Sequence, residues 1–185
     1  MKTFSVKELM VPLSEYATVS EDASLFEAVL ALEKAQAEFD HTKYRHRGVI
    51  VLDKNGKVIG KLGQLDVLRA LEPKYDEMQE SEGISRLGFT KNFMKSMLTY
   101  YKLWDDPLDH ICQKASEIRV SKCIIKIAEG EHIDENATLD EAIHQLVLGY
   151  YQSLLVDSGD DIIGILRLTD VFAAVFHSMK ECNLD

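Results

Sequence analysis

The spacing of apolar residues predicts a strand and an amphipathic helix near the start of the chain. Ala17–Val19 fits a short strand. Apolar positions then recur at three- and four-residue steps, the period of a helix with one buried face. These positions are Leu25, Phe26, Val29, Leu30 and Leu32. Ser20 or Asp22 is suited to cap this helix, because a side-chain oxygen at the N-cap accepts hydrogen bonds from first-turn N–H groups.

A hairpin and a second helix are predicted next. The β-branched run Gly48–Asp53 predicts a strand, and Lys57–Leu62 predicts the strand that returns beside it. Asn55-Gly56 favours a type I′ turn, in which both central residues have positive φ. A helix is expected from about Leu65 to Leu71, because Pro73 prevents its continuation. The unit is therefore β-α-β-β-α.

The same unit occurs a second time. Residues 6–29 align with residues 120–143 at an offset of 114, with seven of 24 positions identical. Residues 58–71 align with residues 162–175 at an offset of 104, with six identities that include Gly60/Gly164 and Asp66/Asp170. Two matched blocks in the same order indicate an internal repeat. The predicted elements of the second copy are Glu131–Ile133, Thr138–Leu148, Ser153–Val156, Asp161–Leu166 and Thr169–Met179.

The segment between the copies has its own pattern. It opens with the acidic stretch Asp76–Glu82, and apolar residues then recur at helical steps from Leu87 to Trp104. Asp106-Pro107 is typical of a helix start, and predicts a second helix that continues to Ile118. We therefore predict a mixed α/β (α+β) protein with repeat one at 1–73, an inserted pair of helices at 74–119 and repeat two at 120–185.

Composition narrows the class of protein. The chain has 185 residues, of which 46% are hydrophobic, and a formal net charge of -10, which disfavours general nucleic-acid binding. The three cysteines, Cys112, Cys123 and Cys182, have no metal-ligand spacing, so we expect reduced thiols in a cytoplasmic protein. We expect no membrane span, since no long apolar run is present. Phosphate-loop, zinc-protease and hydrolase signatures are missing, so we expect no enzymatic activity.

The doubled unit resembles a pair of CBS domains, also called a Bateman module. The resemblance rests on ATVSEDASLFEAV and GVIVLDKNGKVIGKLGQLDVL in the first copy, and on HIDENATLDEAI and LLVDSGDDIIGILRLTDVF in the second. It implies two repeats packed through their sheets by pseudo-two-fold symmetry, with two clefts between them. In that family the clefts commonly bind AMP, ADP, ATP or S-adenosylmethionine. The modules regulate an enzyme, transporter or channel, are not themselves catalytic, and commonly form homodimers.

The resemblance implies specific site residues. An aspartate at the start of the last helix of each repeat would bind ribose hydroxyls, which selects Asp66 and Asp170; an ordinary helix cap is the alternative role. Three residues earlier, where the family has Ser or Thr against a phosphate, this chain has Gly63 and Arg167. Gly63 still offers backbone N–H groups, and Arg167 could bind a phosphate with two donors. Alternatively, Arg167 is a surface residue paired with Asp160 or Asp161.

Other expected contacts surround the base and the phosphate. The base would lie against Val19 or Ile133, with backbone groups of Thr18 and His132 at its polar edge. The cationic segment His41–Arg47, which includes Arg45 and Arg47, would flank the phosphate, unless it is only a solvated loop.

Two functions are consistent with the sequence. One is an adenine-nucleotide sensor that signals to a separate partner protein, with the cleft containing Asp170 and Arg167 as the better site. The alternative is a ligand-free module for dimerisation and protein contact. A homodimer would cover apolar helix faces such as Leu68 with Leu71 and Phe172 with Val175. The insertion would present its aromatic residues, namely Phe93, Tyr100, Tyr101 and Trp104.

Overall fold

The structure is a computed structural model that describes residues 4–38, 45–75, 78, 90–105, 110–124 and 127–180. Three sequence predictions lie wholly or largely outside this range: the acidic stretch except Met78, the Asp106-Pro107 helix start, and the segment His41–Tyr44. In chain order the elements are α1 (Val6–Leu9), β1 (Val11–Pro12), β2 (Thr18–Ser20), α2 (Leu25–Glu38), β3 (Gly48–Leu52), β4 (Val58–Gly63), α3 (Gln64–Leu71), α4 (Lys91–Tyr100), α5 (Ile111–Glu117), β5 (His132–Asp134), α6 (Leu139–Gly149), β6 (Ser153–Ser158), β7 (Asp161–Arg167) and α7 (Leu168–Lys180).

The two copies of the predicted unit are confirmed, and each forms a small sheet. In the first sheet β2 pairs parallel with β3, and β3 pairs antiparallel with β4. The second sheet repeats this pairing with β5, β6 and β7. Ile50 and Val58 from the first sheet pack against Leu155 and Ile165 from the second in one buried cluster. The halves therefore meet through their sheets, as the resemblance implies.

The segment that precedes each copy packs on the other copy. Strand β1 pairs antiparallel with β7, with Val11 opposite Ile165, so it extends the second sheet to four strands. Val6 in α1 is buried in the core of the second half. In return, Val120 is buried in the core of the first half beside Ala115 from α5. Each hydrophobic core is therefore completed by the segment that precedes the other copy.

Two glycines that the repeats share leave room for these crossing segments. A β-carbon on Gly164 would lie 2.7 Å from the carbonyl oxygen of Val11, and one on Gly60 would lie 3.1 Å from Cβ of Ile124. A contact under 3 Å with backbone requires a shift of the chain. The glycine identity in the repeat alignment thus reflects a close approach of two segments.

Helix α2 begins with a different cap from the predicted one. The backbone N–H and hydroxyl of Ser24 both donate to Oε2 of Glu27, at 2.6 and 2.8 Å. The N–H of Glu27 donates back to Oγ of Ser24 at 3.2 Å. This reciprocal pair is a capping box, so the prediction of Ser20 or Asp22 was wrong. Thr138 and Glu141 form the equivalent box at α6.

The first hairpin turn also differs from the prediction. Gly56 has φ +79, but Asn55 is not among the residues with positive φ, as a type I′ turn would require. Instead, the N–H of Gly56 donates to the carbonyl of Asp53 at 3.0 Å, and the N–H of Asp53 donates to the carbonyl of Lys57 at 2.8 Å. This is a three-residue loop built on a type I turn with Gly56 as the left-handed residue.

The inserted helices are present, but they differ in packing. None of the residues of α4 is buried, whereas α5 buries Ala115. The chain leaves the helix after Tyr100, and Lys102 and Trp104 adopt positive φ. Two hydrogen bonds hold Trp104 in place. Its backbone N–H donates to Oε2 of Glu72 at 2.7 Å, and its indole N–H donates to the hydroxyl of Tyr75 at 3.1 Å. The insertion therefore does not present Trp104 freely to a partner.

Candidate functional site

A cavity of about 520 Å³ lies between the two halves. We call it the central cavity. It is formed by the segments that enter β3 and β6, the ends of β4 and β7, and the first turns of α3 and α7. The pseudo-two-fold packing brings these equivalent segments of the two copies together. The volume lies within the range of small-molecule sites in proteins, about 300–1,000 Å³.

Asp66 lines the central cavity at the start of α3. Its Oδ2 accepts a hydrogen bond from the N–H of Gly63 at 2.8 Å, so it caps the helix. Within the described residues, no donor contacts its Oδ1. A carboxylate has acceptor capacity on both oxygens. The two roles considered for Asp66 are therefore compatible, since the cap engages one oxygen.

Arg45 and Arg47 also line the cavity, and both are exposed. In the described part of the chain, no group accepts a hydrogen bond from either guanidinium. The backbone carbonyl of Arg47 accepts from the N–H of Gln64 at 3.1 Å, so this segment is fixed beside the first turn of α3. Two guanidinium groups thus lie on the same cavity as the Asp66 carboxylate.

Lys61 carries a third positive charge in the cavity, and it joins the halves. Its ammonium group forms an ion pair with Oε1 of Glu131. It also donates to the backbone carbonyl of Ser153 at 3.2 Å. Its charge is therefore balanced by the protein. The sequence did not single out Lys61 or Glu131, because their pairing depends on how the two copies pack.

Arg167, the last residue of β7, is engaged with a carboxylate in the first turn of α7. It is only 4% exposed, and its Nε and Nη2 donate to Oδ2 and Oδ1 of Asp170, both at 2.6 Å. Its Nη1 lies 3.4 Å from Nδ1 of His46. The predicted alternative, a surface arginine paired with Asp160 or Asp161, was wrong. A buried guanidinium needs a partner, and Asp170 lies one helical turn away.

His46 and Tyr16 complete this cluster from the first half. Their rings meet edge to face with centroids 4.4 Å apart, and His46 is only 1% exposed. Burial and the nearby Arg167 lower the pKa of His46 to about 4, so its ring is neutral at pH 7. Burial raises the pKa of Tyr16 to about 12. We refer to Tyr16, His46, Arg167 and Asp170 as the Arg167 cluster.

The expected base-contacting residues do not lie with Arg167. Ile133 is 6% exposed and belongs to the core of the second half. His132 pairs through Nδ1 with Oδ2 of Asp157 at 2.9 Å. Both residues line a shallow cavity of about 850 Å³ on another side of the second half. Thr18 and Val19 form β2, and neither is among the described residues that line the central cavity.

The central cavity therefore collects half of the expected site residues. It brings together Arg45, Arg47, Gly63, Asp66 and Arg167. Asp170 forms an ion pair with Arg167 and is not among the residues that line the central cavity. Sequence reasoning counted His46 only as one member of the cationic segment His41–Arg47, whereas the structure makes it buried and neutral. It missed Tyr16, although the repeat alignment already placed Tyr16 opposite Gly130, a large residue opposite the smallest one.

The described residues show neither a metal-ion cluster nor a membrane-spanning helix. No group of three or more His, Cys, Asp or Glu side chains among them is arranged to hold a metal ion. Cys112 is exposed, and the thiol of Cys123 donates to the carbonyl of Arg119 at 3.4 Å. Within the same residues, no helix combines the length and the apolar content needed to cross a bilayer.

Comparison with known proteins identifies a family. The family described as CBS domain matches residues 6–73 and 116–177. The crystal structure of CBSX2 in complex with AMP has a TM-score of 0.59 at 18% identity, and covers 94% of this chain and 97% of that one. A CBS domain-containing protein of unknown function from Kribbella flavida has a TM-score of 0.58 at 19% identity, with coverages of 94% and 98%. A CBS-domain protein from Agrobacterium tumefaciens has a TM-score of 0.57 at 19% identity, with 95% of both chains covered. No curated protein matches the chain in sequence.

Proposed function

The chain belongs to the CBS domain family, and from this premise we propose that it is a regulatory module that binds an adenine nucleotide in the central cavity. The observation that carries the proposal is the arrangement around Asp66. Within the described residues no donor contacts its Oδ1, and Asp66 lines a cavity that two guanidinium groups without a described partner also line, those of Arg45 and Arg47. Among similar structures, CBSX2 was crystallised in complex with AMP.

Each part of a nucleotide has a matching group in this proposal. The Asp66 carboxylate accepts hydrogen bonds from the ribose hydroxyls, since a carboxylate has only acceptor oxygens. Arg45 and Arg47 donate to the phosphate, for which a guanidinium has suitable geometry. Tyr150 and Tyr151 line the same cavity and offer aromatic faces to the base. The result is recognition of both the sugar and the charge.

The charge of the site favours nucleotides over S-adenosylmethionine. Lys61 is paired with Glu131 and Arg167 with Asp170, whereas Arg45 and Arg47 have no ion-pair partner among the described residues and supply the remaining positive charge. A phosphate gains from these two groups, whereas the sulfonium of S-adenosylmethionine is itself positive. We therefore propose AMP as the first ligand to test, followed by ADP and ATP.

Nucleotide binding would change the surface of the module, and the nucleotide would not be chemically converted. We propose a regulatory role without catalysis, in which the nucleotide bridges the two halves across the cavity. A partner protein then responds to the changed surface. The ligand-free alternative, a module for dimerisation and protein contact, is favoured by the exposed apolar residues Leu68 and Phe172.

Calorimetric titration separates these two functions. AMP should bind the wild-type protein, and Asp66→Asn should weaken binding by about tenfold or more, because hydrogen bonds to a charged group contribute roughly 1.5–3 kcal/mol. Asp160→Asn, an exposed carboxylate in the β6–β7 turn, is the matched control and should bind normally. Absence of AMP, ADP and ATP binding to the wild type would support the ligand-free module.

The phosphate contact has its own test. Arg45→Gln and Arg47→Gln should weaken AMP more than adenosine, since only AMP carries the phosphate. Equal losses for AMP and adenosine would assign the two arginines a structural role. Ligand at 100 times its dissociation constant should also stabilise the fold by about 2.7 kcal/mol, which thermal unfolding detects.

A further inference from the structure

We propose that Arg167 closes the second ribose site of the module, so that each chain binds one adenine nucleotide, at Asp66. The inference rests on the proposed function, and it extends that function to stoichiometry. Asp66 and Asp170 are equivalent residues of the two copies, and the sequence favoured the cleft with Asp170 and Arg167 as the better site. The proposed site at Asp66 reverses that preference. The two carboxylates differ in their hydrogen-bond partners and in the size of the side chains around them.

Both oxygens of the Asp170 carboxylate already accept a hydrogen bond from the protein. Nε and Nη2 of Arg167 donate to the two oxygens of Asp170, at 2.6 Å each. The side chains of Arg167 and Asp170 are 5% and 15% exposed. A ribose offers only neutral hydroxyl donors. Such donors do not replace a guanidinium charge in a buried setting, where separating the pair leaves two uncompensated charges. Displacement of Arg167 by a ribose would therefore cost more free energy than the new hydroxyl hydrogen bonds contribute.

The corner at Asp170 is also filled, whereas the corner at Asp66 is open. Tyr16 aligns with Gly130, and Arg167 aligns with Gly63. In the two hairpins Gly48 pairs with Gly63 and Ser153 pairs with Arg167, so Gly48 and Ser153 are equivalent positions. Two residues before them, His46 is therefore equivalent to Tyr151. Large side chains thus occupy all three positions around Asp170. Around Asp66, two of the three positions are glycine.

The filled corner has a structural role of its own. His46 and Arg167 are 121 positions apart and belong to different halves. Their contact joins the halves on the side where no nucleotide bridges them, and the edge-to-face contact of His46 with Tyr16 holds His46 in place within the first half. The bound nucleotide and the Arg167 cluster would then be equivalent links across the pseudo-two-fold axis, one from a ligand and one from the chain.

Titration of AMP against five proteins tests the closure. The wild type should bind one AMP per chain, and Asp66→Asn should weaken that binding by about tenfold or more. Arg167→Ser removes the fork and restores a small hydroxyl residue, so it should bind two AMP per chain. The double variant Asp66→Asn with Arg167→Ser should bind one, at Asp170. Asp170→Asn in the wild-type background is the matched counterpart of Asp66→Asn, and should change AMP affinity by no more than about twofold.

Each outcome has a definite meaning. Two AMP per chain in the wild type, or AMP binding weakened by much more than about twofold in Asp170→Asn, would overturn the closure while leaving the proposed function intact. A folded Arg167→Ser protein with no added site would also overturn it. If Arg167→Ser does not fold, the contrast between Asp66→Asn and Asp170→Asn decides. An added site in Arg167→Ser without any wild-type binding would support closure and reject the proposed function.

Discussion

At the scale of single residues, the two copies have the same aspartate in different electrostatic surroundings. Asp66 uses one oxygen to cap its own helix and leaves the other to the cavity. Asp170 gives both oxygens to Arg167. One substitution between the copies, Gly63 against Arg167, accounts for the difference. The two copies therefore have the same residue type at this position, but the Asp170 carboxylate is paired with an arginine and the Asp66 carboxylate is not.

His46 predicts a pH dependence of stability. Its pKa is about 4 in the folded protein, against an ordinary value of 6.5. Between these values the unfolded chain binds more protons, so stability rises with pH and is lost as the pH falls from about 6.5 toward 4. From pH 7 to pH 5 the free energy of unfolding should fall by about 2 kcal/mol through this group.

Denaturant unfolding at several pH values measures this dependence. His46→Gln should flatten the curve between pH 7 and pH 5, because the titrating group is gone. His144→Gln, an exposed histidine of α6, is the control and should keep the wild-type slope. An unchanged slope in His46→Gln would mean that another group carries the dependence.

At the scale of elements, local hydrogen bonds decide where helices begin. Ser24 and Glu27 form the capping box of α2, and Ser24 is buried. Ser24→Ala should lower the free energy of unfolding by about 1 kcal/mol, since an N-cap hydroxyl has roughly that effect. Ser121→Ala, an exposed serine outside this cap, should be close to neutral. A neutral Ser24→Ala would show that tertiary packing alone sets the start of α2.

The crossing segments give a second prediction at this scale. Gly164→Ala should destabilise the protein by about 1–3 kcal/mol, the usual range for overpacking, because the new methyl group meets the Val11 backbone. Gly60→Ala should cost less, since the methyl group meets the side chain of Ile124 at 3.1 Å, and a side chain yields more readily. Thermal or denaturant unfolding of the pair measures the difference. Equal costs would show that β1 shifts freely on β7.

At the scale of the whole molecule, two apolar helix faces remain uncovered within one chain. Leu68 on α3 is 53% exposed, and Phe172 on α7 is 62% exposed. Leu71, which sequence reasoning placed on such a face, is buried in the first-half core. We predict a homodimer that covers Leu68 and Phe172, because burial of apolar surface favours association.

Sedimentation tests this assembly. The wild type at micromolar concentration should sediment at twice the 21.0 kDa mass of the chain. Leu68→Glu or Phe172→Glu should shift it to the monomer. Tyr100→Glu on α4, where the ring is 79% exposed, is the control and should remain dimeric. A 21.0 kDa wild-type species would contradict the prediction.

The sequence by itself determined the duplicated unit. Periodicity and the two aligned blocks located the strands and helices of both copies, because side-chain spacing along one element is a local property. The start of α2 and the Asn55-Gly56 turn were predicted less accurately. Ser24 and Glu27 form a recognisable capping-box pattern that could have corrected the first. The second depends on whether Asn55 adopts a positive φ, which residue type favours but does not decide.

Only the tertiary structure decided which segments complete each core and which corner of the cavity is open. Strand β1 pairs with β7 from the other end of the chain, and Tyr16 and His46 meet Arg167 across the two halves. These contacts depend on the packing of two sheets against each other, and the spacing of residues within one copy carries no information about it. For the same reason, the alignment showed Asp66 and Asp170 as equivalents, while the packing left one carboxylate facing the cavity and held the other in an ion pair.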